Sequence, residues 1–331
     1  MLSKYLYNLS AILSTDFFTL DSLKTSFLDE NIVNEIYYKK LFSYKWREKL
    51  LSPIKNINFS YNYRILEENS QFIKLSFILR RSFPQKYFSK SISSVAIEKY
   101  IIIIEKSTTV FKFILLVNDE EDLILYDNLK KDSLSTIQAS LNKKDSFLWQ
   151  NKLSMLDYLY DLFIKLSFIN KKARMNGNKF DINKATKYAE KYALIPNTDY
   201  KSFHGIGGDC TNFVSQIIHE GGLSKTKTWK PYSNSWIRVE ELYSYLINNK
   251  LGYDVSKVSP FKKGNIIQFY RPEIGKFFHT GFITYELSNG DCLYCCHSYN
   301  KLNYPLSEIY PIIYPTLRAI KPNWLLLISI N

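Results

Sequence analysis

The sequence predicts an α+β protein of two domains. Its 331 residues exceed what a single hydrophobic core commonly organises. In each half, apolar residues at helical spacing are followed by stretches with the period-2 alternation or short apolar runs of strands. Between the halves, Asn170-Lys171-Lys172-Ala173-Arg174-Met175-Asn176-Gly177-Asn178 is basic and polar. The expected division is an α+β domain over 1–170, a linker at 171–177 and a second α+β domain over 178–331.

In the first half, Phe27, Ile32, Val33, Ile36, Tyr37, Leu41 and Trp46 predict a helix over 26–50. Ile57, Phe59, Tyr61, Tyr63 and Ile65 alternate with polar residues and predict a strand. Apolar, β-prone runs at 72–79, 100–104, 110–117 and 123–126 predict further strands, with turns at 106–109 and 118–121. A helix followed by a four- or five-stranded meander resembles the cystatin-like folds in outline. Leu153, Leu156, Leu159, Leu162, Phe163 and Leu166 predict another helix over 149–168. This half contains no His and no Cys, so no catalytic role is assigned to it.

In the second half, Asp181 is placed to cap a helix on which Ala185, Tyr188, Ala189, Tyr192 and Ala193 share a face. Next comes Gly207-Gly208-Asp209-Cys210-Thr211-Asn212-Phe213-Val214-Ser215-Gln216. Asp209 is an N-cap candidate, Phe213, Val214, Ile217 and Ile218 give one buried face, and Gly221-Gly222 ends the helix. Cys210 therefore starts a helix, where free N–H groups and the macrodipole favour a thiolate and can receive an oxyanion. For an isolated Cys, a buried structural role is the commoner one.

A thiol nucleophile needs a base. After the strand expected at 264–269, His279-Thr280-Gly281-Phe282-Ile283-Thr284-Tyr285 reads as a second strand, with His279, Gly281 and Ile283 on one face. The glycine beside His279 leaves room for substrate or for the thiol-bearing helix. Beyond the turn Ser288-Asn289-Gly290-Asp291, the strand Cys292–His297 places Leu293, Cys295 and His297 on one face. His297 is then expected to orient His279, as the third member of a triad, with Asn300 as the alternative and Asp209 as a further oxyanion or orienting candidate. Cys292 and Cys295 fall on opposite faces and no second pair exists, so neither a metal site nor any cofactor is expected.

The formal net charge of +13, most of it in the second half, favours anionic partners, such as acidic polymers or a membrane surface. No long basic run or nucleic-acid motif accompanies it, so nucleic acid is not expected. The four cysteines form no disulfide framework. No leader peptide and no transmembrane stretch are recognised, which makes the cytoplasm the default compartment, with export by another route left open. Nothing sets an oligomeric state.

The stretch Tyr188–Ala193, the motif Gly207–Gln216, Ser235-Trp236, Leu242 with Tyr245-Leu246, the Gly264 turn, His279–Thr284 and His297–Asn300 with Asn303 and Pro305-Leu306 together resemble the family described as "Putative amidase domain", placed with the NlpC/P60 and CHAP branch of papain-like cysteine hydrolases. The resemblance covers nearly all of the second half. It implies a papain-like domain with a helix-borne Cys packed on an antiparallel sheet, and hydrolysis of an amide or peptide bond through a thioester. Cell-wall peptides are the substrate suggested by analogy. One departure is Gly264-Asn265, where the family's turn reads Gly-Asp. An acyltransferase using the same thioester, or an inactive binding protein, are the competing readings.

Overall fold

The computed structural model describes residues 1–15, 19–107, 110–136, 147–169, 180–204 and 207–323. They group into two compact units, one of Met1–Lys86 with Val95–Tyr160, the other of Tyr87–Ser94 with the chain from Asp161 onward. The second unit takes in a short segment near 90, and the division runs between Tyr160 and Asp161 rather than at 170. The expected linker at 171–177 lies outside the described residues.

The first unit contains α1 (Leu2–Ser14), α2 (Leu20–Leu23), α3 (Glu30–Lys49), most of β1 (Asn58–Glu68), β2 (Phe72–Tyr87), β3 (Lys90–Lys106) and β4 (Phe111–Asn118), then α4 (Leu123–Lys131) and α5 (Leu148–Ser154). The strands run in the order β1-β2-β3-β4. Asp29 starts α3 by accepting the Asn31 N–H at 3.1 Å. Leu75, Phe77, Ile102 and Ile104 on one face of the sheet meet Leu6 and Leu9 of α1 and Ile32, Val33 and Ile36 of α3. Ile101, Ile103 and Val117 on the other face meet Leu125 and Leu129 of α4. Because both faces are covered, the run Ile101–Ile104 is apolar at every position rather than alternating.

Residues 123–126, expected as a strand, open α4 instead. The Asp122 carboxylate accepts the Leu125 N–H at 3.0 Å, and Leu125, Tyr126 and Leu129 form a buried stripe at helical spacing. A four-residue apolar run carries no period of its own, and the capping aspartate decided it. The helix expected over 149–168 is two helices, α5 and α6 (Leu156–Ser167).

The second unit continues with α7 (Ile182–Tyr192), α8 (Cys210–Glu220), α9 (Asn234–Ile237), α10 (Val239–Asn248), β5 (Gly252–Asp254), β6 (Ile266–Arg271), β7 (Lys276–Glu286), β8 (Cys292–Cys296), β9 (Lys301–Pro305) and β10 (Thr316–Pro322). These strands form an antiparallel array in the order β9-β8-β7-β6-β10-β5. Asp181 caps α7 as expected, accepting the Lys184 N–H at 2.9 Å. Ala185 and Ala189 of α7, Phe213, Val214 and Ile217 of α8, and Leu242 and Leu246 of α10 bury against Ile266, Phe282, Cys295 and Ile320 on one face of the sheet. That packing fixes the axis of α8 and therefore where its first residue lies.

At the other end of α8, Gly221 sits against Phe180, and a β-carbon there would lie 2.1 Å from the Phe180 ring. The ring packs edge-on against Phe282, with centroids 6.3 Å apart, so it has little room to retreat. Gly221→Ala should therefore destabilise the protein by about 1–3 kcal/mol, the usual range for overpacking a filled core. Chemical denaturation checks this, and an unchanged midpoint would contradict the packing described.

Candidate active site

Cys210 is the first residue of α8 and is buried. Its sulfur lies 3.8 Å from the Thr211 hydroxyl, and the Thr211 hydroxyl lies 3.2 Å from that of Thr280 on β7. Burial pushes the thiol up, the Thr280 and Thr211 hydrogen bonds oppose this, and the neighbouring Asp209 carboxylate adds to it, so the thiol lies above its ordinary value. The helix N-terminus alone predicts a lowered thiol; in the folded protein burial outweighs it.

His279 precedes Thr280 on β7 and is 1% exposed. The Thr280 hydroxyl lies 3.2 Å from the Thr211 hydroxyl, and Phe282 packs in the core with Phe213, so these residues face α8. By alternation His279 faces the other side, where its ring meets Phe269 (5.7 Å between centroids), Tyr299 (5.1 Å) and Tyr314 (6.3 Å). Burial and then the charges of Lys301 and Arg271 hold the imidazole well below its ordinary value. Its Nε2 is buried and has no hydrogen-bond partner among the described residues. No hydrogen bond joins Cys210 to His279. The link between their elements is the contact of the Thr211 and Thr280 hydroxyls, each one residue along the chain from Cys210 and His279. Gly281 does not make room for substrate or helix: a β-carbon there would lie 2.8 Å from the Tyr294 ring.

His297 does not orient His279. It opens the four-residue loop His297–Asn300 between β8 and β9 and stacks flat on Phe213 of α8, with centroids 3.9 Å apart and planes 5° apart. Its Nδ1 lies 2.7 Å from Asp209 Oδ2 and its Nε2 lies 2.7 Å from the Tyr192 carbonyl. Both ring nitrogens thus face oxygen atoms. The sharing of a face by Cys295 and His297 is correct, but the register pairs Cys295 with Phe282. That face is the one Thr280 occupies, opposite His279.

Asp209 gives no side-chain cap to α8 and offers no oxyanion donor. Its carboxylate accepts from His297, from the Phe203 amide at 2.9 Å and from Asn212 Nδ2 at 2.8 Å. Burial would raise this carboxyl, but the three donors outweigh it and hold it below the usual carboxylate value. The Asp209 amide donates to Ser298 Oγ at 2.8 Å. Asn212, whose role the residue pattern alone did not reveal, also donates to the Lys201 carbonyl and accepts the Trp236 indole N–H at 2.8 Å. Trp236 and Trp229 are thus core residues, whereas Tyr232 is exposed.

Asn300, the alternative orienting residue, closes the loop that carries Tyr299 to the His279 ring. Its Oδ1 is buried and without a hydrogen-bond partner, like His279 Nε2. Of the remaining histidines, His204 is exposed and His219 Nδ1 bonds the Leu223 carbonyl at 2.8 Å within the core. Cys292, Cys295 and Cys296 are completely buried. Burial, joined by the charges of Asp291 and Glu286, pushes Cys292 well up, and burial pushes Cys295 up to about 12. Among the described residues, no three His, Cys, Asp or Glu side chains are grouped to hold a metal ion, and no helix is long and apolar enough to cross a membrane.

Residues 179–316 match the family model described as "Putative amidase domain". The chain is also 36% identical over 131 residues to the uncharacterized protein YjcM of Bacillus subtilis (strain 168), a match covering 37% of this chain and 31% of that one. It is 30% identical over 118 residues to the uncharacterized protein YhbB of the same organism, covering 32% of this chain and 37% of that one. The chain thus spans about a third of the length of the curated relatives it matches. No solved structure matches. The domain match points to amide hydrolysis as the class of reaction.

Removing His297 leaves the Asp209 carboxylate buried with one of its donors gone. His297→Ala should lose about 1–3 kcal/mol of stability, the range for leaving a buried acceptor without its donor. A thermal melt beside wild type checks it, and an unchanged melting temperature would show that the pair holds nothing in place.

Proposed function

We propose that the second unit is a papain-like cysteine amidase in which Cys210 is the nucleophile, His279 the base and Asn300 the group that orients the base. The observation that carries this reading is the 3.2 Å approach of the Thr211 and Thr280 hydroxyls, which sets the first turn of α8, with Cys210, against the strand residue that follows His279. The helix-borne Cys packed on an antiparallel array, with the His on a strand and the polar group in the following hairpin loop, supports the papain-like assignment.

In the reaction, His279 removes the Sγ proton and the sulfur attacks the carbonyl carbon of the amide. The carbonyl oxygen becomes an oxyanion facing the first-turn amides of α8, which lack intrahelical partners. Collapse breaks the C–N bond as the imidazolium returns its proton to the leaving amine. Water activated by the same imidazole then cleaves the thioester. The resting thiol and imidazole are both neutral, because one is raised and the other lowered. No hydrogen bond joins them in this state, so the reading requires the thiol and the imidazole to approach when substrate binds. Asn300 Oδ1 is the acceptor available for His279 Nε2–H, which leaves Nδ1 toward the thiol.

Cys210→Ala and His279→Ala should each abolish amide hydrolysis, and the double variant should be little worse, since the two act as one unit. Asn300→Ala should lose about 10–1000-fold in kcat, roughly 1.4–4 kcal/mol of transition-state stabilisation, at unchanged melting temperature. A fully active Asn300→Ala enzyme would remove Asn300 from the mechanism. The same charges set a pH dependence. With the Cys210 thiol above its ordinary value, its alkylation by iodoacetamide should keep rising through the alkaline range in which a free cysteine has levelled off. A rate already flat near neutral pH would mean a preformed thiolate–imidazolium pair instead.

A further inference from the structure

Helix α3 ends on a residue poorly suited to ending it. The Leu51 N–H donates to the Glu48 carbonyl at 3.1 Å and the Ser52 N–H to the Arg47 carbonyl at 3.0 Å, the pair of bonds that closes a helix through a left-handed residue. That residue is Leu51, at φ 50°. Glycine is the usual occupant, because a β-carbon is strained in this region. Asn56, at φ 56°, is at least of a type that tolerates it. Leucine does not compensate by packing in the core, since its side chain is 84% exposed.

Leu51 instead lines an open cleft of about 360 Å³, large enough for a small molecule. Pro53 and the buried Ile54 continue its apolar wall, and Tyr44, 49% exposed, adds its ring. The fixed φ of Pro53 and the two helix-closing bonds at Leu51 preform this wall. Arg47, Glu48 and Lys55 also line the cleft, two cations against one anion. Arg47 and Tyr44 are engaged in further interactions of their own, whereas Lys55 is exposed and no carboxylate pairs with it among the described residues. An apolar wall with an ammonium at its rim suits a molecule that is apolar along its body and anionic at one end.

We propose that this cleft in the first unit binds a small amphipathic carboxylic acid, its hydrocarbon chain against Leu51, Pro53 and Ile54 and its carboxylate at the Lys55 ammonium. The bound chain covers the leucine that the fold leaves in water, which gives a reason for an apolar side chain at a strained position; residues held this way cluster at ligand clamps. The first unit, which has no His and no Cys, thereby acquires a binding role. The site uses residues 44–55 alone and stands whether or not the second unit hydrolyses amides.

The test titrates the full chain with octanoate and with octan-1-ol, which share an apolar chain, by calorimetry beside thermal melts. Wild type should bind one octanoate per chain, about threefold more tightly than the alcohol, the scale of one exposed ion pair. Leu51→Gly removes the apolar contact and relieves the backbone, so it should melt at or above the wild-type temperature yet bind octanoate about tenfold more weakly. Leu51→Asn, of a type that tolerates the left-handed region, should weaken binding in the same way. Lys55→Gln should bind acid and alcohol alike. Absence of saturable octanoate binding by wild type overturns the proposal, and so does undiminished binding by a folded Leu51→Gly or Leu51→Asn. Equal wild-type affinity for acid and alcohol also overturns it, leaving an apolar cleft with no selectivity for an acid. If wild type binds no octanoate but self-associates in sedimentation, and Leu51→Gly is monomeric, a second copy of the chain is the occupant and the proposal falls.

Discussion

The Asp209 carboxylate gathers donors from three separate pieces of chain: the loop at Phe203, the first turn of α8 at Asn212, and the β8–β9 loop at His297. His297 passes the connection to the Tyr192 carbonyl at the end of α7, and Asn212 passes it to Trp236 of α9. A buried carboxylate is tolerated only when its charge is met by donors and a counter-charge, and each donor here comes from an element that has to be in place for the others to reach. The start of α8 is therefore not free to fray or tilt. The residue it delivers, Cys210, owes its position to this neighbour rather than to its own contacts.

The same arrangement separates two kinds of polar work in one motif. Thr211, Asn212, Ser215 and Gln216 of the motif around Cys210 all bond inward: to Thr280, to Asp209, to the Trp236 carbonyl and to the Tyr188 hydroxyl. They satisfy a polar core that packs α7, α8 and α9, and none of them needs to touch a substrate. On the opposite face of the sheet the environment is different. His279 lies among aromatic rings, and the charges of Lys301 and Arg271 bear on it.

Much of this was legible before any fold was known. Cys210 at a helix start followed from two glycines, a polar residue and an apolar stripe, and His279 on a strand followed from alternation. The role of Asp209 was misread because an aspartate before a helix is usually its cap, and nothing local shows that a histidine 88 residues later claims the carboxylate. Residues 123–126 were misread for a related reason. The run was too short to carry a period, and the cap that marks it as a helix lay just outside it.

The sequence by itself determined which residue types stand on which elements, because helix and strand periods are properties of the local chain. It determined that the second half holds a thiol at a helix head and an imidazole on a strand. Only the tertiary structure decided which of these meet. The β7–β8 register shifts between Ile283 and Tyr285, and the β8–β9 hairpin turns through His297–Asn300, with Ser298 in the left-handed region. Side chains alternate faces along a strand, so the cross-strand register sends His297 to Asp209 and Phe213 and brings Tyr299 to the His279 ring. Registers and bulges depend on pairings between distant parts of the chain, and no window of sequence contains both partners.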